Sequence, residues 1–248
     1  MTFWRAIGLF LAAIPATLAG FVLCLFRPFH RRNNRDCARM YAQTGLRVLN
    51  ARVKVEGWHN LPRHEPCVLA ANHQSNLDLY FYGQVIPENA VVVGKQSLAW
   101  VPFFGQIFWL GGNVFIRRQH RQKAMSAMAA ASRAIVEKRQ SLWIMPEGTR
   151  SQGRGLLPFR KGAFHTAVAT GAPITLVCFS DYLKALRQAD GGPCTVTVRV
   201  LPPIRTEHLG IGDVPQLMAR CRALMIEALT EINGESPVPG EGQGEEAA

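Results

Sequence analysis

The stretch Cys67-Val68-Leu69-Ala70-Ala71-Asn72-His73-Gln74-Ser75-Asn76-Leu77-Asp78 opens apolar and closes polar. Cys67 to Ala71 reads as a buried strand, and the polar residues after it as a loop at that strand's carboxyl end. The pattern returns at Leu142 to Met145, an apolar run followed by Pro146-Glu147-Gly148-Thr149-Arg150-Ser151. Two strands that each deliver a polar loop at the same end point to an α/β protein, a class that gathers its chemistry beyond strand ends.

The spacing within the first loop is informative. Residues five apart on an ideal helix point about 140° apart, so His73 and Asp78 cannot share one face of a continuous helix. They meet if His73 lies in the loop and Asp78 in the first turn of a helix running from Leu77 to Gln84. An aspartate bonded to one ring nitrogen fixes the imidazole tautomer and leaves the other nitrogen as a base. Taken alone, the same spacing also fits a histidine satisfied by a turn and an aspartate capping a helix.

The second loop adds cationic character. Gly148 relaxes the turn between Glu147 and Arg150, and Phe159-Arg160-Lys161-Gly162 follows after a glycine-rich stretch. Arginine offers a planar fork suited to phosphate, and glycine lets backbone come close. Gly112-Asn113-Val114-Phe115-Ile116-Arg117-Arg118 supplies a third cationic loop after another apolar run. A base beside an anion grip suggests group transfer to or from a phosphorylated hydroxyl compound.

Together and in this order, these segments resemble the glycerolipid acyltransferase family, specifically its lysophosphatidic acid acyltransferases. The family's N-H-x4-D block matches Asn72 to Asp78, its G-x-x-F-I-x-R block Gly112 to Arg118, and its P-E-G-T-R-S block Pro146 to Ser151. Lys95, Pro102 to Gly105 and Phe159 to Phe164 also look like family features. A fourth block is partly matched at Ala172 to Leu176, without its second proline. The resemblance implies that His73 removes a proton from the sn-2 hydroxyl of lysophosphatidic acid and that Asp78 orients His73. It places Arg118, Glu147, Gly148, Thr149 and Arg150 around the acceptor phosphate, with Glu147 orienting Arg150, and Lys95 and Lys161 as further anion contacts. The implied co-substrate is acyl-CoA or acyl carrier protein, with no cofactor and no metal. A thioester is already activated and no G-x-S-x-G elbow is present, so no covalent intermediate is expected. Other readings are an acyltransferase for glycerol 3-phosphate or another lysolipid, a hydrolase using water, and a non-catalytic membrane lipid-binding protein.

The rest of the 248-residue chain fits a lipid enzyme. Residues 6 to 26 carry no charge, close to the ~20 apolar residues a spanning helix needs. Pro15 and Gly20 interrupt them, so two short helices dipping into one leaflet are an alternative to a span. A signal peptide cleaved after Ala19 is a third reading, disfavoured because Phe21 to Phe26 stays apolar beyond that site. Arg27, Arg31, Arg32, Arg35 and Arg39 follow, against the single acid Asp36. Such a belt favours the cytoplasmic face of the inner membrane and an anionic membrane surface. The net charge of +11 is thereby assigned to lipid and anionic substrate; no helix-turn-helix or aromatic-basic signature points to nucleic acid. Six scattered cysteines without a C-x2-C pair read as reduced thiols.

The pattern predicts a membrane anchor with its basic segment over residues 1–35, an acyltransferase α/β domain over 36–234, and a disordered Gly/Pro/Glu-rich tail over 235–248. Expected helices span Asp36–Leu49, Leu77–Gln84, His120–Arg139, Gly162–Thr170 and Asp213–Asn233. Met125 and Met128 fall on the core face of the third. Expected strands are Arg52–Glu56, Cys67–Ala71, Ala90–Gly94, one ending near Ile116, Leu142–Met145, Ile174–Phe179 and Thr195–Leu201. Leu98 to Leu110 reads either as a buried helix or as an aromatic wall that dips into the membrane or lines the acyl-chain groove. The alternation implies a mostly parallel or mixed sheet flanked by helices, with an N-terminal membrane-embedded helical segment.

Overall fold

The computed structural model describes residues 3–61, 65–117 and 121–234. Seven strands form one sheet: β1 (Ala51–Glu56), β2 (Val68–Ala71), β3 (Ala90–Lys95), β4 (Val114–Ile116), β5 (Ser141–Ile144), β6 (Ile174–Phe179) and β7 (Cys194–Val200). Their order is β1-β7-β6-β2-β5-β3-β4. Every neighbouring pair is parallel except β6 and β7. The sheet is therefore mixed and mostly parallel, as the alternation of elements implied.

Burial explains which runs are apolar without alternation. β2, β5 and β6 lie at the centre and are buried on both faces, so their sequences VLAA, SLWI and ITLVCF do not alternate. β7 is nearer the edge and alternates, with Val196, Val198 and Val200 inward. All strands from β2 to β6 point the same way. The loops after β2, β5 and β6 therefore leave one edge of the sheet side by side.

Helices cover both faces. On one lie α2 (Asn33–Leu49), α3 (Asp78–Tyr82) and α7 (Tyr182–Gln188), over a core holding Phe81, Tyr82, Trp143 and Tyr182. On the other lie α5 (Arg121–Val136), α6 (Gly162–Thr170) and α8 (Val214–Ile232), around Phe164, Leu142, Leu176 and Met225. Met128 packs there as expected, while the side chain of Met125 is outside the described residues. The predicted helix from Leu77 to Gln84 is reduced to the five residues of α3. α2 presses on α3 so closely that a Cβ at Gly45 would clash with the Tyr80 ring.

The N-terminal segment is one helix, α1 (Phe3–Phe26), with Pro15 inside it, rather than two short ones. It is long and apolar enough to cross a membrane. Yet Leu9, Ala16, Gly20 and Cys24, a stripe at helical spacing, are buried. α1 runs antiparallel along α2: Cys24 Sγ lies 3.8 Å from Cys37 Sγ, and Thr17 Oγ1 lies 2.7 Å from Tyr41 Oη. All six cysteines are free. At the far end the Arg5 guanidinium donates to Leu49 O at 3.2 Å and Gly191 O at 3.1 Å. The boundary expected at 35/36 thus falls inside the first turn of α2, and α1 shares its packing with the domain.

The basic belt is partly neutralised. Arg27 pairs with Asp36, and Arg32 and Arg35 pair with Glu88, while Arg31 and Arg39 are exposed. The aromatic stretch divides into a 3-10 turn (Gln96–Trp100) and α4 (Phe104–Leu110). Gly105, Ile107, Phe108 and Leu110 face inward, as a buried helix requires, whereas Trp100, Val101, Phe103 and Trp109 are exposed. The tail expected to be disordered lies outside the described residues.

Candidate active site

His73 follows β2 by two residues, and Asp78 opens α3. The loop between them closes on itself. Asp78 Oδ2 pairs with His73 Nδ1 and accepts the N–H of Gln74 at 3.1 Å. Asp78 is almost wholly buried, whereas the His73 side chain stays partly open at 17%. Among the described residues, His73 Nε2 has no partner. The Asp78 contact thus orients the imidazole through Nδ1 and leaves Nε2 unbonded.

Two phenols complete the aspartate's surroundings. Tyr182 donates its hydroxyl to Asp78 Oδ1 from the start of α7. Tyr82 Oη lies 3.0 Å from Asp78 Oδ2 and 2.7 Å from Asn72 O. Burial and the Asp78 charge push both phenols well above the usual tyrosine range, so they remain protonated donors. The sequence reading missed both. For Tyr182 a signal existed, since it sits just beyond the carboxyl end of the apolar run Ile174–Phe179, where site residues gather.

The second loop is tied to the first by backbone. Ser151 N donates to His73 O at 2.8 Å and Gln152 N to Gln74 O at 3.0 Å. Glu147 is buried, and its carboxylate accepts His73 N–H at 2.6 Å and Leu157 N–H at 2.9 Å. This corrects the expectation that Glu147 orients Arg150 at the phosphate; its carboxylate is turned into the protein and holds the histidine's own backbone. Burial raises its carboxyl above the ordinary range despite those two amide donors. The partner of Arg150 is Asn76 Oδ1, within the His73 loop.

Gly148 adopts φ +69°, the left-handed region that favours glycine, and the Arg160 side chain lies where a Cβ would stand. Thr149 and Lys161 are exposed, Lys161 directly before α6. Lys95 is exposed at the end of β3, two strands from β2, and so at the margin of the edge that His73 occupies. Arg118 is outside the described residues. Asn72, read only as part of a motif, fastens β2 to β6: its amide donates to Phe179 O at 2.9 Å and accepts Phe179 N–H at 2.8 Å. Gln74 Nε2 donates to Ser180 O at 2.9 Å, so the loop is braced from both neighbouring strands.

Comparison with known proteins places this geometry. The acyltransferase family model matches residues 52–180, from β1 to the residue after β6. The 1-acyl-sn-glycerol-3-phosphate acyltransferase of Salmonella typhimurium is 36% identical over 94% of both chains. That of Escherichia coli is 35% identical over the same shares. A human protein of that name, the alpha form, is 39% identical over 73% of this chain and 65% of its own. A crystal structure of the Thermotoga maritima 1-acyl-sn-glycerophosphate acyltransferase superposes with a TM-score of 0.76 over 95% of this chain and 97% of that one; at 20% identity it speaks for the fold. With the family model matched over residues 52–180, the same fold and identity sustained along nearly the whole length, the chain belongs to the acyltransferase family, among the 1-acyl-sn-glycerol-3-phosphate acyltransferases.

Proposed function

We propose that this protein transfers an acyl group from acyl-CoA or acyl carrier protein to the sn-2 hydroxyl of 1-acyl-sn-glycerol 3-phosphate, giving phosphatidic acid. The reading is carried by the His73–Asp78 pair, its Nε2 open, beside the turn that bears Arg150. His73 Nε2 takes the hydroxyl proton as that oxygen attacks the thioester carbonyl. The C–S bond then breaks, and the thiolate leaves with the proton that His73 returns. Asp78 supports the transient imidazolium. Arg150 and Arg118 hold the acceptor phosphate, with Lys161 and Arg160 at the rim and Lys95 farther out. The chemistry needs neither cofactor nor metal beyond the two substrates.

The protein works on a membrane at its cytoplasmic face. Phe10, Leu11, Leu18, Val22 and Phe26 are exposed along α1. Edge contacts of Phe21 with Phe103 (5.3 Å) and Phe29 with Trp109 (5.2 Å) join that face to the exposed aromatics around α4. An α1 packed on α2 along its length suits a helix laid into one leaflet rather than one crossing alone. Arg31 and Arg39 then meet anionic headgroups.

The test uses purified full-length protein in detergent. Oleoyl-CoA or oleoyl acyl carrier protein is offered with lysophosphatidic acid or glycerol 3-phosphate, and products are identified by mass spectrometry. Phosphatidic acid is expected from lysophosphatidic acid, with His73→Ala slower by roughly 10²–10⁴-fold. A folded His73→Ala protein of near-normal rate would overturn the mechanism, and acylation of glycerol 3-phosphate alone would overturn the acceptor.

A further inference from the structure

The hydroxyl of Tyr182 has no packing task that the ring does not already perform. The ring is fully buried and stacks on Phe81 at a centroid distance of 4.3 Å. The hydroxyl instead ends a chain that starts in the His73 loop. Ser75 Oγ accepts Leu77 N–H at 3.0 Å and lies 3.1 Å from Tyr182 Oη, which bonds Asp78 Oδ1. An ionised carboxylate cannot donate, so the phenolic proton points at Asp78 and the Ser75 proton points at the phenol. Tyr82 is different. Its single proton is divided between Asn72 O at 2.7 Å and Asp78 Oδ2 at 3.0 Å, with the carbonyl closer.

We infer that Tyr182 is a positioning residue of the transfer reaction: its hydroxyl fixes the Asp78 carboxylate and moderates how strongly that carboxylate holds a proton on His73. The inference rests on the His73 base proposed above. Tyr182 lies two residues beyond the stretch matched by the acyltransferase family model, on an element, α7, that carries none of the matched blocks. The titratable groups facing Asp78 are His73 in the loop, Tyr82 on α3, Tyr182 on α7 and, through its charge, Glu147 after β5. Arg150 adds a positive charge over the loop through Asn76. Of the two phenols, only Tyr182 commits its proton wholly to Asp78.

The direction follows from charge. A carboxylate that loses a donor becomes a stronger acceptor, so it holds the proton on His73 more tightly. The base is then free only at higher pH, and the carboxylate is less firmly aimed.

Tyr182→Phe keeps the ring and removes the hydroxyl. The expected result is a kcat lowered by roughly ten- to a hundredfold, as for the loss of a hydrogen bond to a charged group. KM for both substrates stays close to that of the parent, and the acidic limb of the kcat/KM profile moves to higher pH. Tyr82→Phe shifts the same limb by less. A Tyr182→Phe rate within about twofold of the parent overturns the inference, and so does a lower rate with an unmoved limb, which marks packing alone. Thermal melting checks the fold; should Tyr182→Phe fail to fold, Ser75→Ala shifts the limb in the same sense, and an unmoved limb there overturns the inference. Activity surviving in His73→Ala overturns the base and the inference together. An inactive His73→Ala beside an unaffected Tyr182→Phe overturns the inference alone.

Discussion

Arg150 reaches across the site to Asn76 Oδ1, and that contact bears on its role. An arginine held by one neutral acceptor keeps its charge and most of its fork for an anion. Arg150→Ala is therefore expected to weaken lysophosphatidic acid far more than a monoacylglycerol of the same chain, by about 1.5–3 kcal/mol, or roughly ten- to a hundredfold in kcat/KM. Competition kinetics with the two acceptors measures it. Equal losses with both would make Arg150 a brace for the His73 loop through Asn76. Asn76→Ala separates the two cases, because it frees the arginine without removing its charge.

Among the elements, the decisive link is between the ends of β2 and β5. These neighbours pair in register from Val68 with Leu142 to Ala70 with Ile144. Glu147 carries the pairing beyond the strands by accepting His73 N–H and Leu157 N–H on its two oxygens. Glu147→Gln offers one acceptor where two are needed and turns an NH2 toward the other amide. The predicted cost is about 1–3 kcal/mol of stability, together with a lower kcat because the His73 backbone loses its tether. pH separates the two effects. Burial raises the Glu147 carboxyl in the folded state, so its contribution is full below the ordinary carboxylate range of about 4.3 and lost as pH rises through the raised value. The melting advantage of the parent over Glu147→Gln should accordingly be largest in acid and shrink toward neutrality. An advantage that grows with pH would mean the amide donors outweigh burial and hold Glu147 ionised.

For the whole molecule, the function proposed above makes the apolar face formed by α1 and the turn before α4 the place where the enzyme meets its acceptor. Trp100 and Phe26 are 84% and 87% exposed, so replacing them leaves the core intact. Each gives up about 1.5–3 kcal/mol when fully immersed in an apolar phase, so Phe26→Ser with Trp100→Ser should weaken partition onto vesicles containing anionic lipid by at least about tenfold. Activity on acceptor embedded in vesicles should fall in step, while activity on a monomeric short-chain acceptor should hold. Flotation with paired assays tests this. Unchanged vesicle binding would remove this face from the membrane contact. Deleting residues before Asp36 is a poorer test, because it would also uncover the α2 face on which Leu9, Ala16 and Gly20 pack.

The local sequence by itself determined the strands, because β2, β5 and β6 are buried on both faces and must be largely apolar without alternation. It also determined the loop pair, since histidine, aspartate, glycine and arginine at strand ends keep their spacing in any fold of this class. The meeting of His73 with Asp78 follows from a turn five residues long and was legible for the same reason. What lay far apart in the chain was not legible. Glu147 stands 74 residues from the amide it holds and Tyr182 stands 104 from Asp78, so only the order of strands brings them together. Their side chains are also ambiguous in isolation: a glutamate in a cationic loop reads as a surface partner for arginine, and a tyrosine after a strand as core. Nor does apolar composition reveal direction. Residues 6 to 26 satisfy the length of a span, and only the tertiary structure, by burying the stripe from Leu9 to Cys24 along the domain, decided that α1 is packed as part of it.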